Sequence, residues 1–426
     1  MRKASTMHYS PFSRKQRMVL NWWTAESPVR DASGIIADGA IRSGKTLSMS
    51  LSFVIWAMTN FQGQNFGMAG KTIASFRRNV LTQLKMMLSA RGYTAVDHRA
   101  DNLLVVSQGE RQNYFYIFGG KDESSQDLIQ GITLAGIFLD EVALMPESFV
   151  SQATGRCSVT GSKFWFNCNP SGPLHWFKVN WIDKKDEKSL LYLHFTMQDN
   201  LSLSAEIKAR YKSMYTGVFY NRYILGLWCM AEGLIYDLFD RKRNVRQFPA
   251  GAKPIQSYVS CDYGTQNATA FLLWCQASTD KHWYCVREYY YSGRDSKRQK
   301  TDRQYADDYL AWIGRDKPKA FVLDPAAASF AAELREHGIY VLRAQNDVSD
   351  GIRVTAAAMD SGAFYISPEC KNLIGEIQQY AWDPRAAKRG EDQPIKVMDH
   401  ACDAMRYFVY TILGDRKPKF RDTSGL

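Results

Sequence analysis

At 426 residues, with 45% apolar and 23% charged side chains, the chain is too long for one ordinary core and too apolar to be disordered, so two domains are expected. Its 54 lysines and arginines outnumber 43 aspartates and glutamates, a net charge of +11 that either marks a polyanionic partner, nucleic acid being the commonest, or is a surplus scattered over the surface. Eight cysteines with no C-x-x-C pair give neither a zinc ribbon nor a disulfide framework, and the N-terminal residues and the broken apolar run 47–61 resemble neither a secretory signal nor a membrane span, so a reduced, intracellular protein is expected.

The first element is the amphipathic stretch "SPFSRKQRMVLNW", which carries Gln16. A glutamine there either reads an adenine edge with its paired donor and acceptor or is simply the polar face of a helix. From residue 33 to about 197, strand-like runs alternate with helical or loop segments: "GIIAD", "NFGMAG", "NYFYIFGG", "LAGIFLDEV", "SKFWFNCNP" and "LLYLHFTM". Strand, Gly-rich turn, helix, then more strands is the order of an α/β sheet with its site at the carboxyl ends of the strands.

The turn is "GAIRSGKT", residues 39–46, which fits G-x-x-x-x-G-K-[ST] at every fixed position. Gly39 and Gly44 let the backbone curl so that the N–H groups of the loop, through Arg42 and Ser43, face a phosphate. Lys45 adds a point charge, Thr46 offers a hydroxyl to Mg²⁺, and the following helix contributes its positive end. "GIFLDEV" then ends a buried strand in Asp140, a candidate Mg²⁺ ligand, and Glu141, which would polarise water for attack on a γ-phosphate. Arg42, Arg77 and Arg78 are candidates for stabilising transition-state charge. In "FNCNPSGPLHW", Asn167 and Asn169 either sense the γ-phosphate or merely form an Asn-Pro turn.

Residues 198–250 read as a small helical connector rich in Arg, Lys and Tyr. A second α/β pattern runs over 251–413, and 414–426 is a basic, flexible tail. Within the second pattern, strands end at Asp262 in "SCDYG" and at Asp324 in "FVLDP". "KVMDHACDAMRYF" sets Asp399 and Asp403 one helical turn apart, with His400 on the flank. Oxygen ligands from two strand ends and a helix suit Mg²⁺ or Mn²⁺, and two such ions would support phosphodiester cleavage. Three unrelated surface carboxylates are the plainer alternative.

The ordered series "GAIRSGKT", "GIFLDEV", "CNPSGPLHW", "SCDYG", "FVLDP" and "DHACDAMRY" resembles the large terminase subunits of tailed bacteriophages, of the PBSX-like family, over nearly the whole chain. The resemblance implies a RecA-like P-loop ATPase domain at 1–197, the linker at 198–250 and an RNase H-like nuclease at 251–413. It implies ATP with Mg²⁺ at Lys45, Thr46 and Asp140, catalysis by Glu141, an adenine contact at Gln16 and coupling through Asn169. It implies Mg²⁺ or Mn²⁺, two ions, at Asp262, Asp324 and Asp403, assisted by His400 and Asp399. The implied partners are double-stranded DNA, a portal protein and a small terminase subunit. The implied state is a pentamer on the procapsid and a monomer in solution, in the host cytoplasm, outside the mature virion and without a membrane. Gln130 stands where relatives often carry a basic residue and is assigned no role. A helicase or repair ATPase fused to a nuclease, distinguishable by fork unwinding, and a transposase or integrase, which needs no "GAIRSGKT" loop, are the alternatives.

Overall fold

In the computed structural model, residues 11–414 are described, apart from 265–266, 294–295 and 297; beyond its first residue, the expected flexible tail 414–426 lies outside them. They group into two bodies. One holds the described residues up to Lys212 with Val218–Met230 and Lys388–Glu391; the other holds Ser213–Gly217, Ala231–Ala387 and the described residues from Asp392 onward. The stretch 198–250, expected as a linker, is thus shared between the two.

The first body is built on β1 (Gly34–Gly39), β2 (Asn65–Gly70), β3 (Thr94–His98), β4 (Leu103–Gln108), β5 (Arg111–Gly119), β6 (Gly136–Leu139), β7 (Lys163–Asn167) and β8 (Leu190–Phe195), in spatial order β3-β4-β5-β2-β6-β7-β1-β8. From β5 to β8 the neighbours are parallel, which explains the unbroken apolar runs of β1 and β6: both of their faces are covered. The helix Lys45–Asn60 packs its rings into this sheet, with Trp56 4.7 Å and Phe53 5.2 Å from the Trp165 ring. Ser52 survives in that apolar helix because its hydroxyl accepts from the indoles of Trp23 and Trp165 and donates to the Val19 carbonyl. Beyond β5 the sheet continues with β4 antiparallel to β5 and β3 antiparallel to β4, two strands that were not among those expected.

The second body is a meander of β9 (Pro254–Asp262), β10 (Ala268–Ala277) and β11 (Trp283–Ser292). The strand β12 (Phe321–Leu323) lies parallel to β9, β13 (Val341–Arg343) lies parallel to β12 beyond it, and β14 (Phe364–Ile366) lies parallel to β11. All of β10 is buried, because helices cover both of its faces. Phe271 packs with Tyr309 and Phe330 from the helices Asp302–Ile313 and Ala328–Glu336, whereas Trp274 stacks 4.3 Å from Phe408 of the helix His400–Phe408. No helix among the described residues is long and apolar enough to cross a membrane.

Candidate nucleotide and cation sites

The loop after β1 has the backbone that its glycines predict. Gly39 and Gly44 have φ of 119° and 85°, and a Cβ on Gly39 would lie 2.0 Å from the Phe195 carbonyl oxygen. Lys45 is buried and donates to the carbonyls of Gly39 (3.0 Å) and Ala40 (2.7 Å), to Ser43 Oγ (3.3 Å) and to Asn169 Oδ1 (3.1 Å). Burial pulls its pKa down to about 8 despite nearby acidic groups.

Beside it, Thr46 Oγ1 donates to Asp140 Oδ1 at 2.9 Å, and Asn167 Nδ2 donates to Thr46 Oγ1 at 3.2 Å. Asn167 Oδ1 accepts from the Glu141 N–H at 2.9 Å, so one side chain joins the Lys45–Thr46 helix to the Asp140–Glu141 corner. Glu141 has φ 57°, the left-handed region that costs a non-glycine residue about 1 kcal/mol or more. That conformation turns the chain sharply at the strand end. Asp140 is buried, which raises its carboxyl pKa against the bonds from Asn167 and Thr46.

Gln16 sits against this loop. Its Oε1 already accepts from the Ser13 N–H at 2.9 Å in a capping box, and its Nε2 lies 2.2 Å from where a Gly44 Cβ would stand. Arg42 (φ 55°) lays its guanidinium over the Tyr211 ring at 5.3 Å. Arg77 is ion-paired to Asp97 and bonds Asn102, whereas Arg78 is exposed and bonds its neighbour Asn79.

On the second body, β9 and β12 pair in parallel with Leu323 beside Cys261, so Asp262 and Asp324 follow on adjacent strand ends. The helix His400–Phe408 starts at Asp399 as its N-cap, and the Asp403 N–H donates to the Asp399 carbonyl at 2.8 Å. Asp262, Asp399, His400 and Asp403 line one cavity of about 910 Å³. Asp262 Oδ2 lies 2.8 Å from His400 Nδ1. Burial raises the Asp262 pKa. Burial also opposes the imidazolium of His400, yet the Asp262 carboxylate carries the His400 pKa above its usual value.

Asp403 is held by Arg406 (2.9 Å) and Lys396 (3.0 Å), and Lys396 Nζ is also 3.1 Å from Asp399 Oδ2. That oxygen is buried, with the Lys396 ammonium against it. Carboxylates of Asp262, Asp399 and Asp403 on one cavity are a donor set that fits a hard divalent cation.

Asp324 departs from the expected cluster. Its side chain accepts from Tyr407 OH (2.7 Å) and the Ala326 N–H (2.8 Å), and it lines a separate small pocket of about 160 Å³. Among the described residues, no three His, Cys, Asp or Glu side chains are arranged to hold an ion as they stand. The expected closed triad of Asp262, Asp324 and Asp403 is therefore not assembled, because each carboxylate has settled on a tethered donor: His400, Tyr407, or Lys396 and Arg406.

The family of N-terminal domains described as "Terminase large subunit, T4likevirus-type" matches residues 36–243. The large terminase of a thermophilic bacteriophage is 58% identical, covering 95% of this chain and 100% of that one, with a TM-score of 0.89. The chain belongs to the large terminase family. The same thermophilic phage's enzyme in complex with ADP superposes with a TM-score of 0.87, and in complex with ATP-γ-S with 0.86. The large terminase subunit of Escherichia phage T5 is 27% identical over 292 residues, 65% of this chain and 65% of that protein. Both bodies are α/β, in keeping with that family.

Three groups of this terminase lie at the sites without having been singled out. Asp38 is buried in β1 ahead of the phosphate loop, 2.9 Å from His194 Nδ1, and accepts from Trp228 Nε1 at 2.7 Å. An acid inside an apolar strand was the available signal. Glu376 accepts from the N–H groups of Ala401 (2.7 Å) and Cys402 (3.0 Å) at the start of the helix bearing His400, and burial lifts its pKa to about 7. Nothing in "KNLIGEI" marks it out. Lys396 is the third.

Residues 223–228 strap the phosphate loop. The Ile41 N–H donates to the Tyr223 carbonyl at 2.9 Å, and Gly226 (φ 76°) passes so close that its Cβ would sit 2.9 Å from Ala40 N. Gly226→Ala is expected to destabilise the terminase's first body by about 1–3 kcal/mol, through both strain and overpacking, as read by chemical denaturation.

Proposed function

We propose that this large terminase drives double-stranded DNA into procapsids with ATP and cuts concatemeric DNA in a metal-dependent step, one activity on each body. What supports this most is the presence of two chemically different sites on separate bodies: a lysine-centred phosphate loop and a carboxylate-lined cavity. In the first, Lys45 trades its carbonyl acceptors for phosphate oxygens, and Thr46 and Asp140 hold Mg²⁺. Glu141 polarises the attacking water, and Gly39, Arg42, Ser43 and Gly44 line the anion's cradle. Asn167 and Asn169 touch Thr46 and Lys45, so loss of the γ-phosphate is felt directly by the end of β7 and the residues after it.

In the second, Asp262, Asp399 and Asp403 hold Mg²⁺ or Mn²⁺, and His400 orients Asp262. Asp324 joins by turning from Tyr407. Divalent ions there supply water activation and stabilisation of the leaving oxygen. The chain grips DNA through phosphates with its basic surplus, so binding weakens steeply with salt. A portal protein and a small terminase subunit complete the machine, as a pentamer on the procapsid in the host cytoplasm. Purified protein is expected to hydrolyse ATP and, with Mn²⁺, to nick and linearise plasmid. Absence of metal-dependent cutting by folded protein would leave a nucleotide motor alone.

A further inference from the structure

We infer that Lys396 is a built-in cation that occupies the place of a divalent ion between Asp399 and Asp403, and so sets how much metal the nuclease site needs. Its Nζ lies 3.1 Å from Asp399 Oδ2 and 3.0 Å from Asp403 Oδ2, bridging two carboxylates from successive turns of one helix start. The two anions are fixed in the body, their side chains 6% and 9% exposed, while that of Lys396 is 59% exposed. An ion pair with an exposed lysine is weak and displaceable.

The other cation on Asp403 behaves differently. Arg406 is buried, and besides Asp403 it donates to the carbonyls of Asn346 (3.0 Å) and Asp347 (3.3 Å). It is a permanent structural partner. Lys396 lacks such anchors: the residues after it, Val397 and Met398, are exposed, and Met398 has φ 51°, a left-handed conformation that stores strain. Asp399 is buried and its Oδ2 meets the Lys396 ammonium at 3.1 Å, so a divalent ion taking the ammonium's place keeps that oxygen against a cation. A compact single charge is thereby replaced by a double one, and low metal keeps the site closed on its own lysine.

The inference rests on the nuclease reading above. The test is Mn²⁺ binding to the full chain without nucleotide, followed by the electron spin resonance of free Mn²⁺ and by calorimetry. Lys396→Met, which keeps the stem and removes the charge, is expected to bind about tenfold tighter, the scale of losing one competing ion pair. The Mn²⁺ level that half-saturates plasmid cutting is expected to fall in parallel, while Lys396→Arg stays near wild type. Unchanged or weaker binding by Lys396→Met overturns the role of Lys396 alone, provided Asp262→Asn has lost the wild-type site. If the wild type binds no better than Asp262→Asn, the metal-site reading falls and this inference with it.

Discussion

Lys45→Ala is expected to lower ATP hydrolysis about 10²–10³-fold, the range for removing one pre-aimed charge from a developing oxyanion, while Mn²⁺-dependent plasmid cutting continues at the wild-type rate. The ammonium's three N–H groups are shared among four acceptors: Gly39 O, Ala40 O, Ser43 Oγ and Asn169 Oδ1. Truncation leaves those oxygens short of a donor in a buried place, so thermal unfolding of the first body has to be followed alongside turnover. A loss of both activities in a folded variant would contradict separate sites.

The same burial predicts a pH signature. The Lys45 pKa is lowered to about 8, and an approaching phosphate favours the protonated form. Nucleotide binding is therefore expected to take up a proton near and above pH 8, and affinity is expected to fall as pH rises through that value. Calorimetry in buffers of different ionisation enthalpy measures the uptake directly.

How much of this was legible in the sequence depends on whether the signal was local. The phosphate loop was, because its glycines, lysine and threonine act within a few residues on one turn, and the strand before it and helix after it read from composition alone. Strands of the parallel core announced themselves by unbroken apolar runs. β3 did not, because "TAVDH" lies at the sheet edge with one face in solvent and carries Asp97 for Arg77.

At the second site the backbone followed the pattern and the side chains did not. Asp262 and Asp324 end adjacent strands, but χ angles are decided by the nearest donor, and Tyr407 reaches Asp324 from a helix some eighty residues later. Glu376 and Lys396 were invisible for the same reason, and Asp38 showed only as an acid inside an apolar strand. Their importance comes from partners such as Trp228, the Ala401 N–H and Asp399, which no residue spacing in a single chain reveals.

Asp262→Asn is the substitution expected to separate the second activity most cleanly. Asp262 is partly buried, and desolvation raises its carboxyl pKa, so the fold disfavours its charge and tolerates an isosteric neutral amide at a cost of about 1 kcal/mol. Chemistry does not tolerate it: an amide is a poor ligand for a hard divalent ion, and cutting should fall about 10²–10³-fold while ATP hydrolysis is unchanged. His400 supplies a second readout. Its pKa is held up against burial by the Asp262 carboxylate 2.8 Å away, so in Asp262→Asn it should drop, visible as an earlier loss of the imidazolium when pH is raised and followed by NMR. Asp324→Asn is the informative comparison, because Asp324 starts out bonded to Tyr407 and outside the cavity. Equal loss of cutting means that it rotates in to complete the ligand set. Cutting at the wild-type rate means that Asp262, Asp399 and Asp403 hold the ions without it, and that Asp324 serves only to anchor Tyr407.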